Sequence, residues 1–430
     1  MRSADTTSAD DAAGHRKRLR AHNTILDKPP TAVLTWLEHD TPETQQFDQQ
    51  HNTATSNYFK SIPNATAIRH AIAQSMKQNL ANAAPQAKTG GANFMVTDTD
   101  SNGAWHISTQ DGQRLFGAET VAKNSALDWW YPSPSGAYVV YGVSWDGTEQ
   151  SVLHVWDVKA NTQHALEVPH CSFSKVAWLP NETGFFFSAG LTSDHEGSEK
   201  QLRFAALINN KFEVQQSEVS SVVVADPYVS PHVSPDGKFL ALTVSWERPE
   251  TKHLFNIKQQ RWEPFLQPVN GRGFGRFTED SFLLLTTDGA PKGRIVRVPL
   301  ATHTDPATYQ EVVAESSAVL RSLLPLPNGD LLVSELVDGF SQLRLVTASG
   351  QQHQIALPPF SLIVHESGLD TSPFYPKNNL VYFRLESYTH PAVQAHVNVH
   401  TRKVTINQVP KLDIQIERFV ATAKDGTEVP

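Results

Sequence analysis

A short turn followed by an apolar strand recurs seven times along this chain, and that repeat constrains its fold more than any other feature. The copies are Asp100-Ser101-Asn102-Gly103, Ser133-Pro134-Ser135-Gly136, Leu179-Pro180-Asn181-Glu182, Ser234-Pro235-Asp236-Gly237, Thr278-Glu279-Asp280-Ser281, Leu326-Pro327-Asn328-Gly329 and Tyr375-Pro376-Lys377-Asn378, 33 to 55 residues apart. Proline fixes one turn dihedral, and Gly or Asn accepts a positive one. A four-stranded sheet with its loops takes about 40–50 residues. The repeat therefore predicts a mainly β chain, a seven-bladed β-propeller over residues 89–410.

The strand text agrees. Tyr138–Val143, Ser151–Trp156, Phe239–Val244, Phe282–Thr286, Leu331–Ser334 and Leu380–Phe383 are short apolar runs bounded by turn residues, and no helix is expected after about residue 93. The start differs. Residues 1–27 read as a flexible lead-in and 28–88 as a short α-helical segment. Thr41-Pro42-Glu43 carries an N-cap hydroxyl, a first-turn proline and an acid facing the helix dipole. Phe47, Ala54 and Tyr58 then recur near one helical face. Pro63-Asn64 restarts a helix, on which Ile68, Ile72, Met76 and Leu80 form a stripe.

Charge removes some function classes. Lys+Arg 36 against Asp+Glu 44 gives −8, which offers no general attraction to nucleic acid or anionic lipid. The one basic run, His15-Arg16-Lys17-Arg18-Leu19-Arg20, reads as a solvated tail. Cys171 is the only cysteine, so no intrachain disulfide and no thiolate zinc cage can form. Met1–Asp11 has no apolar core for a signal peptide, and no run reaches the roughly 18 apolar residues of a membrane helix. A soluble, cytoplasmic protein is expected, without nucleic-acid or membrane partners.

Chemical motifs are sparse. There is no phosphate-cradling loop, metalloprotease helix or calcium loop, and neither cofactor nor metal is expected. Gly271-Arg272-Gly273-Phe274-Gly275-Arg276 lacks a strand-to-helix context and reads as a loop; His164 and His170 stand at a poor metal spacing and read as structural. A hydrolase nucleophile needs a Gly-x-Ser-x-Gly elbow. The nearest text, Gly142-Val143-Ser144-Trp145-Asp146, reads as a blade strand running into an Asp146-Gly147 turn, and no Ser-His-Asp set can be nominated. Ile414, Ile416, Phe419, Ala421 and Ala423 alternate as in a strand. Asp425-Gly426 then signals a hairpin whose return, Thr427–Pro430, is short, which reads as an interrupted domain.

In order and spacing, these segments resemble the prolyl oligopeptidase family of serine peptidases, over about residues 31–430. The matching text is Trp36-Leu37-Glu38-His39-Asp40 with Glu43-Thr44, Phe47 and Asn52; Ser133–Ser144; Val155-Trp156-Asp157-Val158; Phe173–Trp178; Asp288–Arg294; Tyr382–Pro391; and Ala423–Pro430. The family's Asp-Pro-Tyr before the tryptophan is replaced by Val33-Leu34-Thr35. The resemblance implies a propeller capping an α/β-hydrolase domain that is split in sequence. The stripe of Ile68, Ile72, Met76 and Leu80 would dock on that domain, and residues 411–430 would begin its larger part. It also implies cleavage after proline in short peptides by a Ser-Asp-His triad. All three residues would lie beyond Pro430, so no catalytic residue carries over.

Two substrate-gating positions do carry over. The resemblance implies that Phe173 reaches from the propeller into the cavity, although it reads equally as blade core. Arg248 stands near where the family commonly has a cysteine facing the cavity, so no thiol-sensitive entrance is expected. An arginine there suits a peptide carboxylate, with a surface salt bridge as the plainer reading. Three functions follow: the gating part of such a peptidase, inactive alone; one half of a split enzyme whose hydrolase is a separate chain; or a non-catalytic propeller that binds peptides or proteins.

Overall fold

The computed structural model describes residues 35–81, 94–98, 105–109, 113–191, 199–226, 228–245, 248–265, 271–365, 372–406 and 416–429. Contacts divide the chain into two compact units, 1–76 and 77–430.

In the first unit, α1 spans Pro42–Ser61. Thr41 caps it: the Thr44 N–H donates to Thr41 Oγ1 at 3.2 Å, and the Thr41 N–H donates to Thr44 Oγ1 at 2.9 Å. Trp36 stands edge-on to Phe47 at 5.2 Å. The second helix, α2, spans Ala65–Ala81. Tyr58, Ile68 and Ile72 are each more than half exposed, and the side chains of Met76 and Leu80 lie outside the described residues.

The second unit is a seven-bladed β-propeller of antiparallel sheets, and no α-helix occurs among its described residues after α2. Blade 1 holds Phe94–Asp98, Trp105–Thr109 and Arg114–Gly117. Blades 2 to 6 each place four strands in chain order, from an inner first strand outward. The first strands are Ser125–Pro132, Val176–Trp178, Val229–Val233, Gly273–Phe277 and Val319–Pro325. In blade 7 this strand is split into Ser361–Ile363 and Tyr375–Lys377, both paired with Leu380–Ser387. Blades 4 and 5 share one sheet through a single parallel pair, Glu250 with Gly273.

Six apolar clusters hold the blades together, one between each successive pair. Between blades 2 and 3, for example, Trp129, Val140, Leu153 and Val155 meet Trp178, Phe185, Phe187 and Phe212. Among the described residues no cluster and no strand pair joins blade 7 to blade 1, so the sheets do not close.

Six of the seven predicted turns join the first and second strands of blades 2 to 7. In Ser133–Gly136 the Gly136 N–H donates to the Ser133 carbonyl at 2.9 Å, and Gly136 takes φ 79°. Glu182 and Asn378 take the same left-handed place at 58° and 53°. Asp100–Gly103 lies outside the described residues. Two expectations are corrected. Gly271–Arg276 is largely not a loop, because Gly273–Phe277 is the inner strand of blade 5. A Cβ on Gly275 would overlap the Leu283 carbonyl, so the glycine there lets two strands close up. The strand expected through 414–423 shrinks to Ala421–Thr422, paired with Glu428–Val429, because no other described strand offers it a ladder; Ile414 lies outside the described residues.

Candidate functional site

Strand alternation gives the propeller two unlike ends. The repeated turns occupy one. The other carries the segments that precede each first strand and those that join second to third strands, and both gating candidates fall there. Phe173 precedes Val176–Trp178, and Arg248 lies between Phe239–Val244 and Glu250–Asn256.

Phe173 is 58% exposed, which overturns its reading as blade core. Its φ of 52° is left-handed, as is that of His170 at 63°. Such backbone costs about 1–3 kcal/mol per residue and persists only where the surroundings over-determine it. Here they do. Trp129 Nε1–H donates to the Cys171 carbonyl at 3.0 Å, and the Cys171 N–H donates to Ser151 O at 2.9 Å. Ser174 Oγ donates to Ser188 O at 2.6 Å, the Lys175 N–H to Ser188 Oγ at 3.0 Å, and the Gly190 N–H to His170 O at 2.7 Å. The buried Lys200 ammonium donates to the Ser172 carbonyl, one residue from Phe173. Burial brings the pKa of Lys200 down to about 8, with Lys175 adding to the fall and Cys171 and Asp226 opposing it. Burial also pushes the Cys171 thiol up to about 12. A rigid frame thus presents one exposed aromatic ring.

Nothing in the sequence around Lys200 marks this role. Its nearest clue is a lysine opening a strand that is otherwise apolar at alternate positions. Arg248 is exposed, its N–H donates to Ser245 Oγ at 3.4 Å, and its guanidinium makes no salt bridge among the described residues. His164 packs edge-on against Tyr138 and Phe212, a structural place as expected. Gly142–Trp145 ends the second strand of blade 2, and Asp146 and Gly147 take φ 52° and 71°.

Other features share the Phe173 end. Tyr388, in the turn before His390–Asn398, is 73% exposed. Arg418 pairs with Asp338 at 2.9 Å beside a cavity of about 360 Å³ lined by Phe340, Leu357, Pro358 and Phe360, and neighbouring Phe419 is 76% exposed. At the turn end, a second cavity of about 370 Å³ is lined by Tyr131, Trp178, His232, Pro235, Arg276 and Phe277, from blades 2 to 5. Among the described residues no helix is long and apolar enough to cross a membrane.

Residues 31–410 match the family model described as the prolyl oligopeptidase N-terminal β-propeller domain. A prolyl endopeptidase of Elizabethkingia miricola is 21% identical, over 96% of this chain and 60% of that protein. Prolyl oligopeptidase A of Galerina marginata is also 21% identical, over 75% of this chain and 49% of its own length. A solved prolyl endopeptidase structure superposes with a TM-score of 0.73 at 23% identity, covering 91% of this chain and 60% of the other. Prolyl oligopeptidase B of Galerina marginata, bound to a 35mer substrate, gives 0.64 at 13% identity, with 92% and 61% covered. The chain therefore spans at most about 60% of the length of these relatives. Shared blade order, fold and family match agree: this chain belongs to the prolyl oligopeptidase family, through its N-terminal β-propeller domain.

Proposed function

We propose that this chain is the substrate-gating portion of a prolyl-oligopeptidase-like serine endopeptidase that cleaves short proline-containing peptides. It works with an α/β-hydrolase domain that supplies the nucleophile, acid and histidine, joined in cis or docked in trans. Residues 89–410 form the gate, and 28–88 and 411–430 belong with the hydrolase side. The observation that carries this reading is the gathering of exposed apolar groups at one end. Of the eight exposed large apolar side chains among the second unit's described residues, six lie there, Phe173, Leu191, Val223, Tyr388, Phe419 and Val420, between 38% and 76% exposed; Ile208 and Val214 are the other two. Groups so placed suit contact with a further domain or with substrate.

In this reading Phe173 narrows the path to the reacting bond, and its frame keeps the ring from folding away. Arg248, exposed at the same end, receives the carboxylate of a short peptide. A single buried cysteine suits a reducing cytoplasm.

The test is the intact mass of the protein captured from its native source with an antibody against residues 90–410. A mass well above 47.6 kDa, in a polypeptide carrying a Gly-x-Ser-x-Gly elbow, supports the reading in cis. A second polypeptide with that elbow supports it in trans. A lone 47.6 kDa chain contradicts it and leaves a non-catalytic binding propeller.

A further inference from the structure

The Gly271–Arg276 segment opens the inner strand of blade 5. Gly271 takes φ 145°, where a Cβ would overlap Thr287 Oγ1. The Arg272 main chain is then fixed on both sides: its N–H donates to Thr287 Oγ1 at 2.8 Å, and its carbonyl accepts from the Thr287 N–H at 2.9 Å. On the neighbouring inner strand, Arg321 is the extra residue of a bulge between Leu320 and Ser322. Both flanking residues are buried, while Arg321 is half-buried. On the next blade, His365 follows the inner strand Ser361–Ile363, and its Nδ1 is buried without a hydrogen-bond partner among the described residues.

These three groups come from three successive inner strands, and Arg321, on the middle one, stands within electrostatic reach of Arg272 on one side and of His365 on the other. Neither guanidinium has a hydrogen bond or ion pair among the described residues. A half-buried, unpaired arginine beside a second cation is costly. An oxyanion removes that cost, since guanidinium matches carboxylate and phosphate oxygens and a neutral imidazole N–H donates to the same oxygens.

We propose that Arg272, Arg321 and His365 form an oxyanion-binding site on the inner edge of blades 5 to 7, for a carboxylate or a phosphate group. The proposal rests on groups of this chain alone and is tested without a hydrolase domain. The test is calorimetric titration of the purified 430-residue chain at low ionic strength, where screening is weakest. The probes are inorganic phosphate and N-acetyl-trialanine as the free acid and as the amide.

Saturable binding of phosphate, of the free acid or of both, with no binding of the amide, is expected. Which one binds identifies the source. Arg321→Gln weakens binding by about tenfold or more, the scale of one charge-assisted pair, while Lys211→Gln, at the exposed start of the strand Lys211–Gln215 at the far end, leaves it unchanged. Should Arg321→Gln fail to fold by circular dichroism, Arg272→Gln gives the same reading. No saturable binding of either anion, binding equal for acid and amide, or equal affinity in the arginine variant overturns the proposal.

Discussion

The indole N–H of Trp129 donates to the Cys171 carbonyl at 3.0 Å, tying the inner strand of blade 2 to the segment that presents Phe173. Both residues are buried. Trp129→Phe keeps most of the packing but leaves that carbonyl without its donor. Unfolding in urea should show a loss of about 1–3 kcal/mol. An unchanged midpoint would mean the bond adds nothing to the frame.

Glycines at close approaches should rank by what lies beside them. A Cβ on Gly275 meets the Leu283 carbonyl, which is backbone and cannot swing away, whereas Gly289 at φ 63° has open space. Gly275→Ala should cost about 3 kcal/mol or more, as overpacking does at its upper end. Gly289→Ala should cost only about 1–2 kcal/mol, for the left-handed backbone. Equal costs in denaturant melts would contradict the placement of Gly273–Phe277 as an inner strand.

Cys171 should be silent to thiol reagents. Its side chain is fully buried and its pKa stands at about 12, so almost no thiolate forms at neutral pH. Native protein should show no release of thionitrobenzoate from a disulfide reagent over the time in which urea-unfolded protein reacts fully. Rapid native labelling would show that the Phe173 segment opens.

Acid should weaken the propeller partly through histidine. Burial, with Arg321 adding to it, holds His365 at about 4, below its ordinary 6.5. Burial lowers His154, His164 and His253 as well. A depressed pKa means that the unfolded chain takes up the proton first. The stability is therefore present in full above about pH 6.5 and is lost as the pH falls toward about 4. In His365→Gln the fall in urea midpoint between about pH 7 and pH 5 should be smaller. An identical fall would exclude His365 as a contributor.

The propeller was legible because several of its second strands are apolar over most of their length. Phe239–Val244 and Phe282–Thr286 are covered on both faces by neighbouring blades, so they read as unbroken runs. The inner strands were harder to read. Val229–Val233 contains Pro231 and Gly273–Phe277 contains two glycines, residues that usually mark loops. An inner strand has one unpaired edge, which tolerates proline, and it crowds its neighbour, which favours glycine. The Lys200 contact was invisible for another reason. It joins residues 28 positions apart, and no local pattern encodes that pairing. The α1 start at Thr41 was read correctly because capping is a local matter.

The central claim is that this propeller gates a peptidase whose chemistry resides in a partner domain. The most direct measurement compares hydrolysis of a Gly-Pro-linked chromogenic peptide by the isolated 430-residue chain and by the protein captured from its native source. The account predicts turnover by the captured protein, blocked by a serine-directed inhibitor, and none by the isolated chain. Turnover by the isolated chain, or none by the captured protein, would contradict it.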